Sequence, residues 1–218
     1  MNALFRLQRI DLAENLLIDS LPGSLGTLNA LEFLYLNSNF LSGIVPAELF
    51  DASSLTELFL STNLLTGTFP DAVANMPSLD VIEIENNFLQ GNLPVDLPDS
   101  LRFFVANNNT LTGQIPTGLA DNTNLQALAV SFNQLTGQIP DFIGSLTELR
   151  SIDLTGNDMT GPIPIALASL TNLEALLLHF NDFTGTVAPE ICALPNIQLI
   201  TADCDQGGPV TCSCCFCF

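Results

Sequence analysis

Leu111–Pro116 reads LTGQIP, and the same six residues return at Leu135–Pro140, 24 positions later. Neither copy holds a catalytic side chain, so the repetition asks for a structural reason. An asparagine stands two residues before each copy, Asn109 and Asn133, and the series extends in both directions as Asn15, Asn39, Asn63, Asn87, Asn157 and Asn181. Of the seven intervals between these asparagines, six are 24 residues and one, from Asn87 to Asn109, is 22. Apolar pairs precede each asparagine by five and three residues, from Ile10/Leu12 through Leu58/Leu60 and Phe104/Ala106 to Leu176/Leu178. Glycine follows at the fourth position in every unit but the first, which has Asp19, and proline at the seventh in every unit but the last, which has Ala188. Self-similarity at a fixed period means a solenoid, because one such unit cannot bury its own apolar face and must stack on its neighbours.

Each part of the unit has a mechanical reading. The alternating pair, such as Leu34 and Leu36, points inward from a short strand while its neighbours point outward. The asparagine turns the chain after the strand, and its amide needs backbone partners from adjacent coils. Glycine and proline shape the return path. LTGQIP is therefore scaffold.

The pattern LxxLxLxxNxLxGxIPxxLxxL resembles the plant-type leucine-rich repeat of receptor-kinase ectodomains and polygalacturonase-inhibitor-like proteins, over roughly residues 4–203. The resemblance implies an α/β solenoid, a leucine-rich repeat horseshoe with a parallel concave sheet and an irregular or 3-10 convex side. The domain reading is a solenoid over 1–203, eight coils plus a half coil carrying Ile197, Ile200 and Ala202, followed by a Cys-rich cap over 204–218. The 22-residue interval falls in NLPVDLPDSLRF, Asn92–Phe103, where two residues are lost from the convex side; a local tightening is expected there. Leu4 and Leu7 already fit the repeat, so the chain opens part-way through a coil, and an N-terminal cap or further repeats are expected upstream of Met1.

The charge narrows the partners. There are 23 acidic residues against four arginines, for a formal charge of -19. Such a chain repels phosphate backbones, which excludes nucleic acid. The acids are scattered, as on a solvated, self-repelling surface. A hydrophobic content of 47% excludes disorder. No apolar run reaches the ~18–20 residues of a membrane span, so no membrane insertion is expected, and Met1–Ile10 lacks the apolar centre of a signal peptide.

Six cysteines cluster at the C-terminal end: Cys192, Cys204, Cys212, Cys214, Cys215 and Cys217. An even count beside a solenoid end reads as a disulfide-stapled cap, with 15 possible connectivities. Zinc is the weaker reading: CxCCxC gathers thiolates, but the single histidine, His179, belongs to a strand. No metal or cofactor is expected. Disulfides place the chain in an oxidising compartment, outside the cell or at its surface. The tail also resembles the ends of diatom-type leucine-rich repeat proteins. One glycosylation sequon is present, at Asn108.

Catalysis requires a nucleophile, a base and an orienting group within hydrogen-bond reach. One histidine and no lysine leave little to assemble, and the acids Glu57, Glu83 and Glu85 lie on an open sheet. The chain is read as a non-enzyme. The concave positions have no scaffold duty, and repeats two to five place Phe33, Tyr35, Phe59, Val81, Phe103 and Val105 there beside Glu57, Glu83 and Glu85. A solvated sheet face would alternate toward polar residues. This face is therefore the expected contact surface for a protein, peptide or cell-wall glycan, with Tyr35, Phe59 and Phe103 as anchors and the glutamates selecting a basic or hydroxyl-rich partner. A smaller patch joins Phe132, Leu177, His179 and Phe180. Two other surfaces compete. A hydroxyl column of Ser42, Thr66, Thr112, Thr136, Thr160 and Thr184, broken by Gln90, is expected to repeat at the coil pitch of ~4.8 Å and would suit a crystal lattice such as ice. An uncapped first coil would suit assembly onto further repeats or another subunit.

Overall fold

The structure is a computed structural model and describes residues 6–204 and 208–218. Met1 and Leu4, which the spacing assigns to the first coil, lie outside them. Among the described residues ten short parallel strands form the concave sheet, running from Arg9–Asp11 and Phe33–Tyr35 to Leu199–Ala202 and Phe216–Cys217. Through the repeats the register equals the sequence period: Leu34 pairs with Leu58, Leu58 with Ile82, and Ile82 with Phe104. These four point inward, none more than 1% exposed, and lie in one continuous core with the inward residues of the later coils; in the first coil Ile10 only packs against it and Leu12 is exposed.

The asparagines stitch the coils together. The Asn63 amide donates to the carbonyls of Leu60 and Ser61 in its own coil and of Leu36 in the previous one, at 3.0, 3.3 and 3.0 Å. Its Oδ1 accepts the Leu41 N–H at 3.0 Å. One side chain thus satisfies four buried backbone groups across two coils, and Asn39, Asn87, Asn133 and Asn157 repeat the arrangement. Asn15, at the end of the ladder, is exposed and donates within its own coil, to Leu12 and Ala13.

Glycine and proline have equally local causes. Every repeat glycine sits at positive φ, between 74° and 87°, and Asp19 adopts 71° at the same place. The prolines hold an extended φ just before the convex helices, and their carbonyls accept the first i→i+3 bond, as from Leu49 N–H to Pro46 at 3.0 Å. Those helices are 3-10 throughout, from Gly23–Thr27 to Ile165–Ser169, with one α-turn at Pro189–Cys192. Their backbones touch: a Cβ on Gly26 would stand 1.7 Å from the Glu48 carbonyl oxygen. The short coil has no such helix between Asn92 and Phe103, which is where the two missing residues came from.

One element departs from the expected convex side. Residues around the repeat glycine form a second parallel sheet, of eight strands among the described residues, from Ser42–Ile44 to Val210–Thr211. Between 24-residue coils its partners are offset by 22 residues, and across the short coil by 20, so equivalent positions of neighbouring coils are staggered by two: Ile44, Thr66 and Phe88 lie side by side. The hydroxyl column is therefore not a row at the coil pitch. Two residues along the strand and one strand across separate successive threonines by about 8 Å.

The periodic sequence stops near Ala202, but the strands continue. The tail supplies Val210–Thr211 to the second sheet and Phe216–Cys217 to the concave one. Three disulfides pair the six cysteines as Cys192–Cys214, Cys204–Cys217 and Cys212–Cys215.

Candidate functional site

The 24-residue register turns sequence columns into spatial rows on the concave face. Arg9, Phe33, Glu57, Val81 and Phe103 make one row, and Asp11, Tyr35, Phe59, Glu83 and Val105 the next. All of these from Phe33 to Val105 are half-buried. Tyr35 stacks on Phe59, ring centroids 4.6 Å apart at 17°, and Phe33 meets Tyr35 edge-on at 6.3 Å. The Arg9 guanidinium, paired with Asp11 at 2.8 Å, lies 4.5 Å from the centre of the Tyr35 ring. The Tyr35 hydroxyl donates to Glu57, and burial together with that carboxylate pushes it up to about 12. Phe33, Tyr35, Phe59 and Glu57 thus form one cluster. Phe103 lies beyond Val81, its ring under the Arg102 guanidinium.

Glu83 stands between Phe59 and Val105, with Glu85 two residues further along the chain. Burial raises the Glu83 carboxyl above the ordinary glutamate value, and the charges of Glu85 and Glu57 add to the effect. Burial also raises Glu85, against a hydrogen bond from Ser61. One Glu85 oxygen is buried without a hydrogen-bond partner. The pairs Arg9–Asp11, Arg102–Asp80 and Arg150–Glu174 leave these three guanidinium groups engaged elsewhere. A carboxyl whose folded pKa lies above its unfolded value binds its proton more tightly when folded. The stability it contributes is present below the unfolded value near 4.5 and is lost as pH rises through the folded one. Glu85→Gln is accordingly expected to raise the urea midpoint at pH 7 and to leave it unchanged near pH 4. A lower midpoint at pH 7 would contradict the burial cause.

The second patch is rearranged by the tail. His179 stacks on Phe218 at 4.0 Å and meets Phe180 at 4.7 Å, while Phe216 packs on Phe218 at 5.3 Å. Its Nδ1 lies 2.8 Å from Thr201 Oγ1. Leu177 pairs beside Thr201, and Phe132 sits two coils away. The imidazole thus lies two residues past the strand Ala175–Leu177, not within a strand as the spacing suggests, packed among aromatic rings with the hydroxyls of Thr201 and Thr155 as polar neighbours.

Sequence reading missed one surface. Ile44, Leu64 and Phe88 on the second sheet, and Leu16, Ile18 and Phe40 in the segments that precede its strands, are exposed, from 43% for Leu64 to 80% for Leu16. In later coils Thr110, Gln134, Asp158 and Asp182 take the column of Phe40 and Phe88. The signal was available as a short alternation, exposed Leu64, buried Leu65, exposed Thr66.

Fold and site together define a parallel-β solenoid with an open, aromatic and acidic inner face. The leucine rich repeat profile matches residues 34–89 and 123–183, more than half of the chain. The protein belongs to the leucine-rich repeat family and is of the plant type. No curated protein matches it significantly. Among solved structures it is similar to the ectodomain of the Arabidopsis thaliana membrane receptor kinase GASSHO1/SCHENGEN3 in complex with CASPARIAN STRIP INTEGRITY FACTOR 2. That match has 28% identity and a TM-score of 0.86 over 90% of this chain and 24% of that one. It is similar to the Arabidopsis receptor kinase HAESA in complex with the peptide hormone IDA and the co-receptor SERK1, with 28% identity and a TM-score of 0.79 over 91% and 35%. A plant ice-binding protein matches at 26% identity and a TM-score of 0.79 over 94% and 65%. The chain thus spans less than two thirds of each of these structures.

Proposed function

We propose that this protein is a non-catalytic recognition module that takes a protein or peptide partner on its concave face, outside the cell or at its surface. The observation that carries the reading is the Tyr35–Phe59 stack, held half-open beside Glu83 and Glu85. Rigid aromatic rings next to part-desolvated carboxylates are costly to leave in water and are stabilised by a partner that covers the rings and brings positive charge. Phe33 and Val81 extend the apolar wall, Phe103 and Val105 close it, and Glu57 joins the carboxylates. The similarity to two receptor kinases solved in complexes, one of them with a peptide hormone and a co-receptor, supports a protein or peptide over a glycan. Three disulfides support the oxidising compartment, and no described helix is long and apolar enough to cross a membrane. The staggered threonines weigh against a lattice match on the second sheet, so the concave face carries the proposal.

The test is affinity capture from a native surface extract, with the wild-type chain beside a Tyr35→Ser/Phe59→Ser/Phe103→Ser variant that still folds. Central aromatic anchors contribute roughly 2 kcal/mol or more each, so the variant is expected to lose affinity for the captured partner by about a hundredfold or more. Equal capture by both chains would move the site off this face. No capture by either would favour assembly through the first coil.

A further inference from the structure

We propose that the cap has a second, reduced state in which the thiolates of Cys192, Cys212 and Cys214 hold one soft divalent cation of the zinc class. Their three sulfur atoms all lie within 4.8 Å of one another. Cys212 and Cys214 belong to different disulfides, yet their Sγ atoms are 3.7 Å apart. A tetrahedral ion with metal–sulfur bonds of about 2.3 Å places its thiolates about 3.8 Å apart, so this edge of the site is already set. Cys215, bonded to Cys212 with Cα atoms 5.6 Å apart, is the nearest further donor for the fourth position.

The disulfides are not the only contacts that bring these residues together. Cys192 ends the helical turn Pro189–Cys192, which is anchored by buried Ile191 and by the Ala193 N–H donating to the Pro189 carbonyl at 3.0 Å. Cys212, Cys214 and Cys215 lie at or between strands Val210–Thr211 and Phe216–Cys217, each hydrogen-bonded into a different sheet. The backbone therefore keeps the sulfurs clustered when the S–S bonds open. A cleft of about 180 Å³, lined by Cys192, Cys214, Ile197, Gln198, Leu199 and Ile200, leads to the cluster from outside.

The chemistry balances with a dithiol as reductant. Each of the Cys192–Cys214 and Cys212–Cys215 bonds takes two electrons and two protons, giving two thiols, while one dithiol per bond becomes a disulfide. Ligation then releases one proton from each thiol that binds the ion. Cys204 and Cys217 have no part in the site.

The experiment uses the full chain, reduced without oxygen by a phosphine and titrated with Co²⁺. One Co²⁺ per chain is expected, with a thiolate-to-metal charge-transfer band and tetrahedral visible bands, all displaced by Zn²⁺. Cys192→Ser should weaken binding about a hundredfold or more. The Cys204→Ser/Cys217→Ser pair should bind as the wild type does, and the oxidised chain should bind nothing. An absent band in the reduced wild type overturns the proposal, and so does a tail that unfolds on reduction and is not restored by metal. Undiminished binding by Cys192→Ser overturns it equally.

Discussion

Replacing Asn133 by alanine is expected to cost the fold about 3–5 kcal/mol, read as a drop in urea midpoint at neutral pH. The side chain is buried, and its amide donates to the carbonyls of Ala106, Val130 and Ser131 at 3.0, 3.1 and 3.2 Å. Its Oδ1 accepts the Leu111 N–H at 2.9 Å. Alanine removes all four bonds and leaves no room for several waters to replace them. Each buried backbone group left unsatisfied costs about 1–3 kcal/mol, with some shared relief as the coils relax. Asn15→Ala is the control. The same residue type at the same place in the repeat, but exposed, should cost about 0.5 kcal/mol or less. Equal losses at the two sites would show that the ladder acts through local turn propensity and not through burial.

Two adjacent phenylalanines give the second large effect. Phe104 is 1% exposed and points into the core, whereas Phe103 is half-buried on the concave face. Phe104→Ala deletes a ring from a closed interior and should cost about 3–5 kcal/mol, combining lost transfer energy with the cavity left behind. Phe103→Ala should cost about 1 kcal/mol or less, because its ring exchanges a partly solvated wall for water. Chemical denaturation of both variants checks the alternation directly. A one-residue slip of this strand would reverse the two values, since side chains on a strand change face at every step.

Much of the fold is legible in the sequence because the solenoid repeats its causes. The asparagine spacing locates every inward pair, and since the concave register equals the sequence period, the spacing by itself puts Tyr35 and Phe59 side by side. The missing helix of the short coil follows from two absent residues. The second sheet is not legible in the same way. Its strands are two to five residues long and all but the last carry the turn-forming glycine of the repeat, so their alternation is too brief to outweigh that turn signal. Its staggered register follows from backbone geometry and leaves no mark in the spacing. In the tail Val210–Thr211 and Phe216–Cys217 are two-residue strands, set by their neighbours rather than by any period of their own. The disulfide pairing likewise depends on distances that spacing does not contain.

The aromatic residues are distributed so that a single experiment can separate the faces. Phe33, Tyr35, Phe59 and Phe103 report on the concave sheet, Phe88 and the neighbouring Phe40 on the side of the second sheet, and Phe180, Phe216 and Phe218 on the cap end. Hydroxyl-radical footprinting of the chain with and without its captured partner, read residue by residue, is the most direct test of concave-face recognition. Protection of Tyr35, Phe59 and Phe103, with Phe40 and Phe88 oxidised as in the unbound chain, is the predicted result. Protection of Phe40 and Phe88 with the concave rings unchanged would contradict it and assign the partner to the second sheet.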